Sequence, residues 1–422
     1  MPIDMSALDP KIVARGKEFF QSIAGEAPSI FNKGWWTGKV MDWAMKNEDF
    51  KVQMFRFVDV LPYLNTSESL SRHIEEYFGD KDANIPDVLK WGAGKTSFGG
   101  GLVAMVLNKA IRSNIESMAR QFIIGEKASE AVKGIRQLRK DGFAFVIDLL
   151  GEATVNEQES DAYQRGYLEV LEAIQGEFRK WDALDVAGGD LDWGHAPKVV
   201  DVAGSVEGIY RRIEPIYRKV KEMGGFLCID MEQLKYKEIT IELYKRLRSA
   251  PEHRDYANLG IVFQCYLKST DADVSEMLSW ARKENLPISI RLVKGAYWDS
   301  ETVVAKQNGW EIPVYTVKAE SDMAYERVAK MILENSDICH FACASHNIRT
   351  ISNVIETAKA LNVPESRYEF QVLYGMAEPV RKGLRNVARR VRLYCPYGDL
   401  IPGMAYLVRR LLENTANESF LR

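Results

Sequence analysis

The segment ISIRLVKGAYWDSE, residues 288–301, indicates a buried β-strand that runs into a polar loop. Its first half is apolar, which is typical of a strand covered on both faces in a parallel sheet. Arg291 and Lys294 nevertheless place two positive charges in it. Because burying a charge is costly unless the charge is paired or hydrogen-bonded, the two cations predict an anionic partner, which is an aspartate, a phosphate or a carboxylate ligand.

Six other apolar runs have the same character, and amphipathic helices such as 205–223 and 321–335 lie between them. The runs are 143–152, 226–232, 260–267, 338–347, 368–376 and 391–398. Strand and helix in alternation predict a parallel sheet with crossover helices. Because polar groups follow several strands, we predict an α/β fold of the (β/α)8 TIM-barrel type. An open doubly wound sheet is the alternative, but no strand is followed by the GxGxxG turn typical of it.

Seven recognised strands leave one barrel strand to be found. It should lie near 195–203, where the sequence HAPKVVDVAGS is a poor strand. The region before the barrel carries apolar residues at helical spacing. We therefore expect a helical arm and helical domain over 1–140 and a barrel over 141–422.

Composition narrows the class of protein. Of the 422 residues, 46% are hydrophobic and 27% are charged, as in soluble globular proteins. A net charge of −3 argues against general nucleic-acid binding. No apolar run is long enough to cross a bilayer, and the first residues lack a signal-peptide pattern. The five cysteines form no CxxC pair, which predicts buried free thiols and a reducing compartment, either the bacterial cytoplasm or a mitochondrial matrix.

Two motifs resemble functional sites, but each is better explained by its role in the fold. WGAGKTS, 91–97, lacks the first glycine of a phosphate loop and indicates a turn between helices. Cys339, His340, Cys343 and His346 would alternate between the two faces of a strand, which argues against a zinc site. His346 is better interpreted as a hydrogen-bonding group for a ligand, or as part of a helix N-cap region.

Charged side chains at strand ends and in the last helix allow two interpretations each. Asp148 and Asp230 both end apolar strands, where an aspartate can cap the next helix. Asp230 could instead pair with Arg291 or with a ligand cation. Arg409 and Arg410 lie off the apolar stripe of their helix, and that segment alone favours a solvated face. The alternative is a guanidinium pair that grips a carboxylate.

Eight segments together resemble the proline dehydrogenase family, and most closely the proline dehydrogenase module of bacterial proline utilization A. They are FLCIDMEQ, GIVFQCYL, IRLVKGAYWDSE, PVYTVKAESD, ACASHN, YEFQVLYGMAEP, RLYCPYG and YLVRRLLENTANESF. The helical first part also resembles the arm of those proteins. Without a recognisable ribbon-helix-helix segment or aldehyde dehydrogenase domain, the chain resembles the stand-alone dehydrogenase half, natural or excised.

The resemblance implies a flavoenzyme that binds FAD non-covalently and oxidises L-proline to Δ1-pyrroline-5-carboxylate. Hydride would pass from proline C5 to flavin N5, and the electrons would go to a membrane quinone. It further implies a cytoplasmic protein with peripheral contact at the inner membrane. No metal and no nucleic acid are implied.

The resemblance also implies roles for individual residues. Arg409 and Arg410 would bind the proline carboxylate, and Tyr297, Leu373, Tyr394 and Tyr406 would wall the ring. Asp230, Arg291 and Tyr394 would be the catalytic residues, with Arg291 near flavin N5. The residues that would hold the cofactor are Met231, Gln264, Arg291, Val293, Lys294, Gly295, Ala296, Trp298, Thr316, Lys318, Ser345 and His346.

One departure concerns the strand that the family writes V-K-x-S-A-L, whose lysine sits in the proline site. Here the chain passes from HAPKV to VDVAGS. We expect that strand to be omitted from the sequence, with a chain break between Val199 and Val200, and we do not give Lys198 the missing lysine's role. Two alternatives therefore stay open: a catalytically impaired proline-binding flavoprotein or sensor, and an aldolase or isomerase that uses Lys294 as a Schiff-base amine.

Overall fold

Eight parallel strands close into one barrel in the computed structural model of the chain. The structure describes residues 5–23, 64, 66–78, 120, 122–150, 157–178, 181, 198–201 and 206–398. The strands are β1 Ala144–Leu149, β2 Lys198–Asp201, β3 Phe226–Ile229, β4 Leu259–Gln264, β5 Ile288–Val293, β6 Cys339–Ala344, β7 Tyr368–Leu373 and β8 Val391–Tyr397. Each pairs in parallel with the next, and β8 pairs with β1. The predicted TIM-type fold is confirmed.

Helices surround the barrel between its strands. They are α4 Glu157–Phe178, α5 Val206–Glu222, α6 Lys237–Ser249, α7 Thr270–Glu284, α8 Trp298–Asn308, α9 Lys318–Glu334, α10 Ile348–Ala360 and α11 Glu378–Val387. Among the described residues before β1, three more helices occur: α1 Met5–Ile23, α2 Ser67–Phe78 and α3 Ala128–Lys140. No described helix has the length and apolar character needed to cross a membrane.

Local sequence explains why these segments become strands. β-branched and aromatic residues are frequent in most of them, and such side chains pack well on a pleated surface. In β5, Ile288, Ile290 and Leu292 are fully buried. Helix α9 covers the neighbouring strand, where the Tyr325 hydroxyl lies 3.3 Å from the sulfur of Cys343. All five cysteines are buried and free, as predicted.

The expectation of a chain break near Val199 is wrong. Residues Lys198–Asp201 form the continuous strand β2, and Val199 pairs with Ile147 of β1 on one side and with Leu227 of β3 on the other. Consecutive residues keep consecutive partners, so the backbone is intact between Val199 and Val200. This four-residue strand is enough to close the barrel because it pairs with β1 along one edge and with β3 along the other. The eighth strand therefore lies where the barrel arithmetic predicted it.

Helix α1 packs on the outside of the barrel, against the helices α10 and α11 that lie near the other end of the sequence. Its Phe19 and Ile23 are buried, and both lie against the small surface of Gly383 in α11. Ion pairs join Arg15 to Glu356 and Asp9 to Arg349 in α10. The amino-terminal helix and the barrel thus share one packed core.

Candidate active site at the carboxyl ends of the strands

The barrel opens where its strands end. In β1, β5, β6 and β7 every residue is buried except the last, which is partly exposed. Side chains at this level therefore border solvent on one side and the core on the other. Active sites of TIM barrels lie at this face, because the loops after the strands converge there.

A buried ion pair forms the floor of this opening. Arg291 of β5 donates from Nη2 to Asp230 Oδ1 at 2.6 Å, with side chains 5% and 23% exposed. Burial alone would lower the pKa of Arg291, but the carboxylate of Asp230 raises it above its ordinary value, so the guanidinium stays charged. The Nε of Arg291 has no hydrogen-bond partner within the described part of the chain. Of the two interpretations of Asp230, pairing with Arg291 is confirmed.

Tyr394 of β8 lies beside this pair. The guanidinium carbon of Arg291 stands 5.4 Å from the centre of its ring. The Tyr394 hydroxyl donates to Asp148 Oδ2, at the end of β1. The structure thus brings together the three residues expected to be catalytic, Asp230, Arg291 and Tyr394, although β3, β5 and β8 are separated in sequence.

Asp148 belongs to the same cluster, a position that the sequence did not assign. It is 7% exposed and accepts a second hydrogen bond, at 2.9 Å, from the hydroxyl of Tyr167 in α4. Burial raises the pKa of Asp148 to about 7; Asp230 adds to the rise, while the hydrogen bonds of Tyr394 and Tyr167 and the charge of Arg291 oppose it. A polar residue ending an apolar strand was the available signal. The two tyrosines that define its role come from distant segments.

Two lysines share one carboxylate at the edge of the opening. Lys294, just after β5, and Lys318, which begins α9, both pair with Asp322. Burial lowers the pKa of Lys294 despite this partner, and the two lysines hold the pKa of Asp322 below its ordinary value although burial opposes them. Two ammonium groups on one carboxylate leave a net positive charge, which suits an anionic ligand.

The loop between Lys294 and α8 exposes its backbone. Gly295 has φ +133°, a conformation open to glycine, and an added Cβ there would collide with the ring of Tyr266. Ala296, Trp298 and Thr316 are exposed nearby. The Trp298 indole donates to the Tyr315 carbonyl at 2.8 Å. The Trp298 side chain is 42% exposed, so this loop presents an aromatic surface to solvent.

The loop after β3 is held against this one. The Tyr297 hydroxyl donates to the carboxylate of Glu232, and the backbone N–H of Leu234 donates to Glu301 at 2.7 Å. Gln264 of β4 donates from Nε2 to the Glu232 carbonyl at 2.7 Å. Met231 is buried beneath the loop. Hydrogen bonds thus connect the loop after β3 with the end of β4 and with the loop after β5.

His346 joins the ends of β6 and β7. Its Nε2 accepts a hydrogen bond from the Leu373 backbone N–H at 3.1 Å. Asn347 is the N-cap of α10, because its side chain accepts from the Thr350 N–H, and the Ser345 hydroxyl accepts from the Asn347 N–H. The N-cap interpretation of this region is confirmed, with Asn347 in the capping position.

The metal-ligating side chains that converge in the described residues lie away from β6. They are Glu214, Glu252 and His253. Arg218 donates to both carboxylate oxygens of Glu214, so that carboxylate is already paired with a guanidinium.

Part of the predicted site lies outside the described residues. Tyr406, Arg409 and Arg410 are there, as is the turn at 91–97. Val293 and Leu373 end their strands at the opening, partly exposed.

Comparison with known proteins identifies the family. The sequence profile described as "Proline dehydrogenase" matches residues 131–422, and that of the "Proline utilization A N-terminal domain" matches 9–122. The chain belongs to the proline dehydrogenase family. The resemblance seen in the sequence is therefore confirmed.

Individual members of the proline dehydrogenase family differ in how much of their length this chain covers. It is 31% identical to the bifunctional protein PutA of Escherichia coli, over 75% of this chain and 25% of that protein. It is 28% identical to a proline dehydrogenase of Deinococcus radiodurans, over 75% of this chain and 95% of that one. A crystal structure of PutA from Bdellovibrio bacteriovorus, inactivated by N-propargylglycine, superposes with TM-score 0.84 at 41% identity, covering 98% of this chain and 42% of that chain.

Proposed function

We propose that this chain oxidises L-proline to Δ1-pyrroline-5-carboxylate, with FAD as the oxidant and a quinone as the final electron acceptor. The observation that carries the proposal is the buried Arg291–Asp230 pair under an open barrel mouth, with Nε of Arg291 unpartnered among the described residues, in a member of the proline dehydrogenase family. A fixed guanidinium at that place can stabilise negative charge that develops on a bound ring.

The charges and the open backbone of the mouth suit FAD. The net positive charge of Lys294, Lys318 and Asp322 matches a diphosphate, and Gly295 lets a ligand approach the backbone closely. We assign cofactor binding to Met231, Gln264, Arg291, Val293, Lys294, Gly295, Ala296, Trp298, Thr316, Lys318, Ser345 and His346. When bound, the flavin supplies the acceptor for the hydride of proline C5.

The substrate would lie between the flavin and β8. Tyr394, Tyr297 and Leu373 border the opening and would wall the proline ring, together with Tyr406. Arg409 and Arg410 would bind its carboxylate, since paired guanidinium groups recognise a carboxylate with planar forks. Asp230 orients Arg291, which would in turn stabilise negative charge on the bound ring.

We infer the wider setting from the same relationship. Residues 1–140 would form the arm and helical domain and 141–422 the catalytic barrel. The relatives named PutA are much longer than this chain. Two settings are therefore proposed: a stand-alone dehydrogenase, or one half of a longer parent that also carries an aldehyde dehydrogenase domain, in either case cytoplasmic with peripheral contact at the inner membrane.

The two alternative functions are affected differently by the structure. Continuous β2 means that no barrel strand is missing, but it does not supply the family's lysine, so a proline-binding flavoprotein with impaired catalysis stays the alternative. Burial lowers the pKa of Lys294, which a Schiff-base lysine would also need, so it is the match to the proline dehydrogenase family and not this amine that disfavours an aldolase or isomerase.

An anaerobic titration followed by flavin absorbance tests the proposal. The chain, supplied with FAD, should purify yellow, and L-proline should bleach the flavin band while D-proline should not. In Arg409→Ala and Arg410→Ala the half-point should move to roughly 10-fold or more higher proline, because a hydrogen bond to a charged group contributes about 1.5–3 kcal/mol. Protein that stays colourless after reconstitution with FAD would refute the cofactor; yellow protein that L-proline does not bleach would refute the reaction.

A further inference from the structure

We propose that Asp148 receives and holds the proton that the substrate's ammonium group must lose, and that the hydroxyl of Tyr394 carries the proton between them. This inference rests on the proposed function, since it takes the substrate to be a secondary amine bound in the barrel mouth. It makes Asp148 a positioning residue that acts through Tyr394.

The chemistry requires such a group. Near neutral pH an aliphatic amine carries a proton, and hydride does not leave a carbon readily when the adjacent nitrogen has no lone pair. In the proposed step the substrate N–H bond breaks and its proton passes to the Tyr394 oxygen, while the Tyr394 proton passes to Asp148 Oδ2. The ammonium becomes a neutral amine and the carboxylate a neutral acid, with no change in oxidation state. Oxidation follows separately, with the flavin as oxidant.

Asp148 is buried, but one of its two hydrogen-bonding partners borders the opening of the barrel. Asp148 is 7% exposed and Tyr167 is 1% exposed, so the Tyr167 hydroxyl points to the core and not to a ligand. Tyr394 is partly exposed and donates its hydroxyl to Asp148. Its ring separates the buried carboxyl from the opening. A ligand at the mouth can therefore exchange a proton with Asp148 through this phenol.

The charged groups around Asp148 favour it over Asp230 as the acceptor. Asp230 is held in a 2.6 Å ion pair with Arg291, so its carboxylate already has a cationic partner. Asp148 faces hydroxyls, Tyr394 from β8 and Tyr167 from α4, with Asp230 and Arg291 as the nearby charges, and β2 places Val200 beside it in the strand register. A carboxyl with a pKa of about 7 can take up and release a proton near neutrality, as general acid–base catalysis requires.

Substitution of the carboxyl by an isosteric amide gives the test. In Asp148→Asn, kcat/KM for L-proline should fall about 100-fold or more, the usual range for loss of a general base. Asp148 must be ionised to accept the proton, so kcat/KM of the wild type should rise with pH through about 7. The variant should lack this rise. An analogue of proline in which an ether oxygen replaces the ring nitrogen has no amine to deprotonate. Its dissociation constant should be the same for Asp148→Asn and the wild type. Asp141→Asn, an exposed acid before β1, is the matched control and should behave as wild type.

An infrared measurement without substrate or turnover provides the second readout. The difference spectrum across neutral pH should contain the C=O band of a carboxylic acid that loses its proton near pH 7, and Asp148→Asn should lack it. An unaltered rate and pH dependence in Asp148→Asn, absence of that band from the wild type, or loss of analogue binding in the variant would overturn the inference. A wild type that fails to oxidise proline would refute the proposed function instead, while the infrared band would still decide whether Asp148 titrates.

Discussion

Arg291 illustrates how a buried charge can be tolerated in the core of a barrel. Its guanidinium gains the carboxylate of Asp230 at 2.6 Å and the ring face of Tyr394 at 5.4 Å, which together offset the loss of water. The remaining Nε is buried and unpartnered among the described residues, so the guanidinium keeps one unused donor. A charge held this way needs no reorganisation when charge develops on the ligand.

Asp148 should make stability depend on pH. Burial raises its pKa from 3.8 to about 7, so between these values the unfolded chain has lost a proton that the folded protein keeps. The stabilisation is complete below about pH 4 and is lost as pH rises through about 7. Relative to Asp148→Asn, the wild type should therefore lose free energy of unfolding as pH rises, by at most about 4 kcal/mol. Urea denaturation at several pH values measures this, and parallel curves for the two proteins would contradict it.

Helix α1 is the element whose position depends most on tertiary packing. Phe19 is 2% exposed and contacts the surface around Gly383, whereas its neighbour Phe20 is 42% exposed on the same helix. The buried face therefore anchors α1 on α10 and α11, and the surface ion pairs contribute little by comparison.

Phe19→Ala should lower the free energy of unfolding by about 3–5 kcal/mol, because it removes a buried aromatic ring and leaves a cavity. Phe20→Ala removes the same atoms from an exposed position and should have almost no effect. Thermal or urea unfolding compares the two variants directly. Equal destabilisation by both would show that α1 does not pack in this way.

The whole barrel closes around a second buried ion pair. Arg392 of β8 donates to Glu369 of β7 at 2.8 and 2.9 Å and to the Phe145 carbonyl of β1 at 2.7 Å. Both charged residues are 1% exposed. The guanidinium thus connects the last two strands to the first, across the seam where β8 meets β1.

Glu369→Gln should destabilise the protein by about 3–5 kcal/mol, since it leaves a buried guanidinium without its counter-charge. The double variant Glu369→Gln with Arg392→Met removes both charges and should recover much of that loss. Glu311→Gln, which breaks an exposed pair with Lys268, is the control and should leave unfolding nearly unchanged. A double variant less stable than Glu369→Gln would contradict this account of the seam.

The barrel could be predicted because its signal is local. Apolar runs and amphipathic helices recur along the chain, and β5, predicted in the first half of 288–301, spans Ile288–Val293. The same run marked Arg291 as a charge in need of a partner. β2 shows the limit of this reasoning: Lys198–Asp201 is a weak strand by composition, and it forms because β1 and β3 supply partners on both sides.

By itself, the sequence determined the strand–helix order, the mouth at the strand ends and the family. Tertiary structure alone decided which charge meets which. Asp148 receives one hydroxyl from 19 residues away and another from 246 residues away. The second arrives because closure sets β8 beside β1. Periodicity reports the burial of each segment, whereas hydrogen-bond partners depend on segments that only the closed barrel brings together.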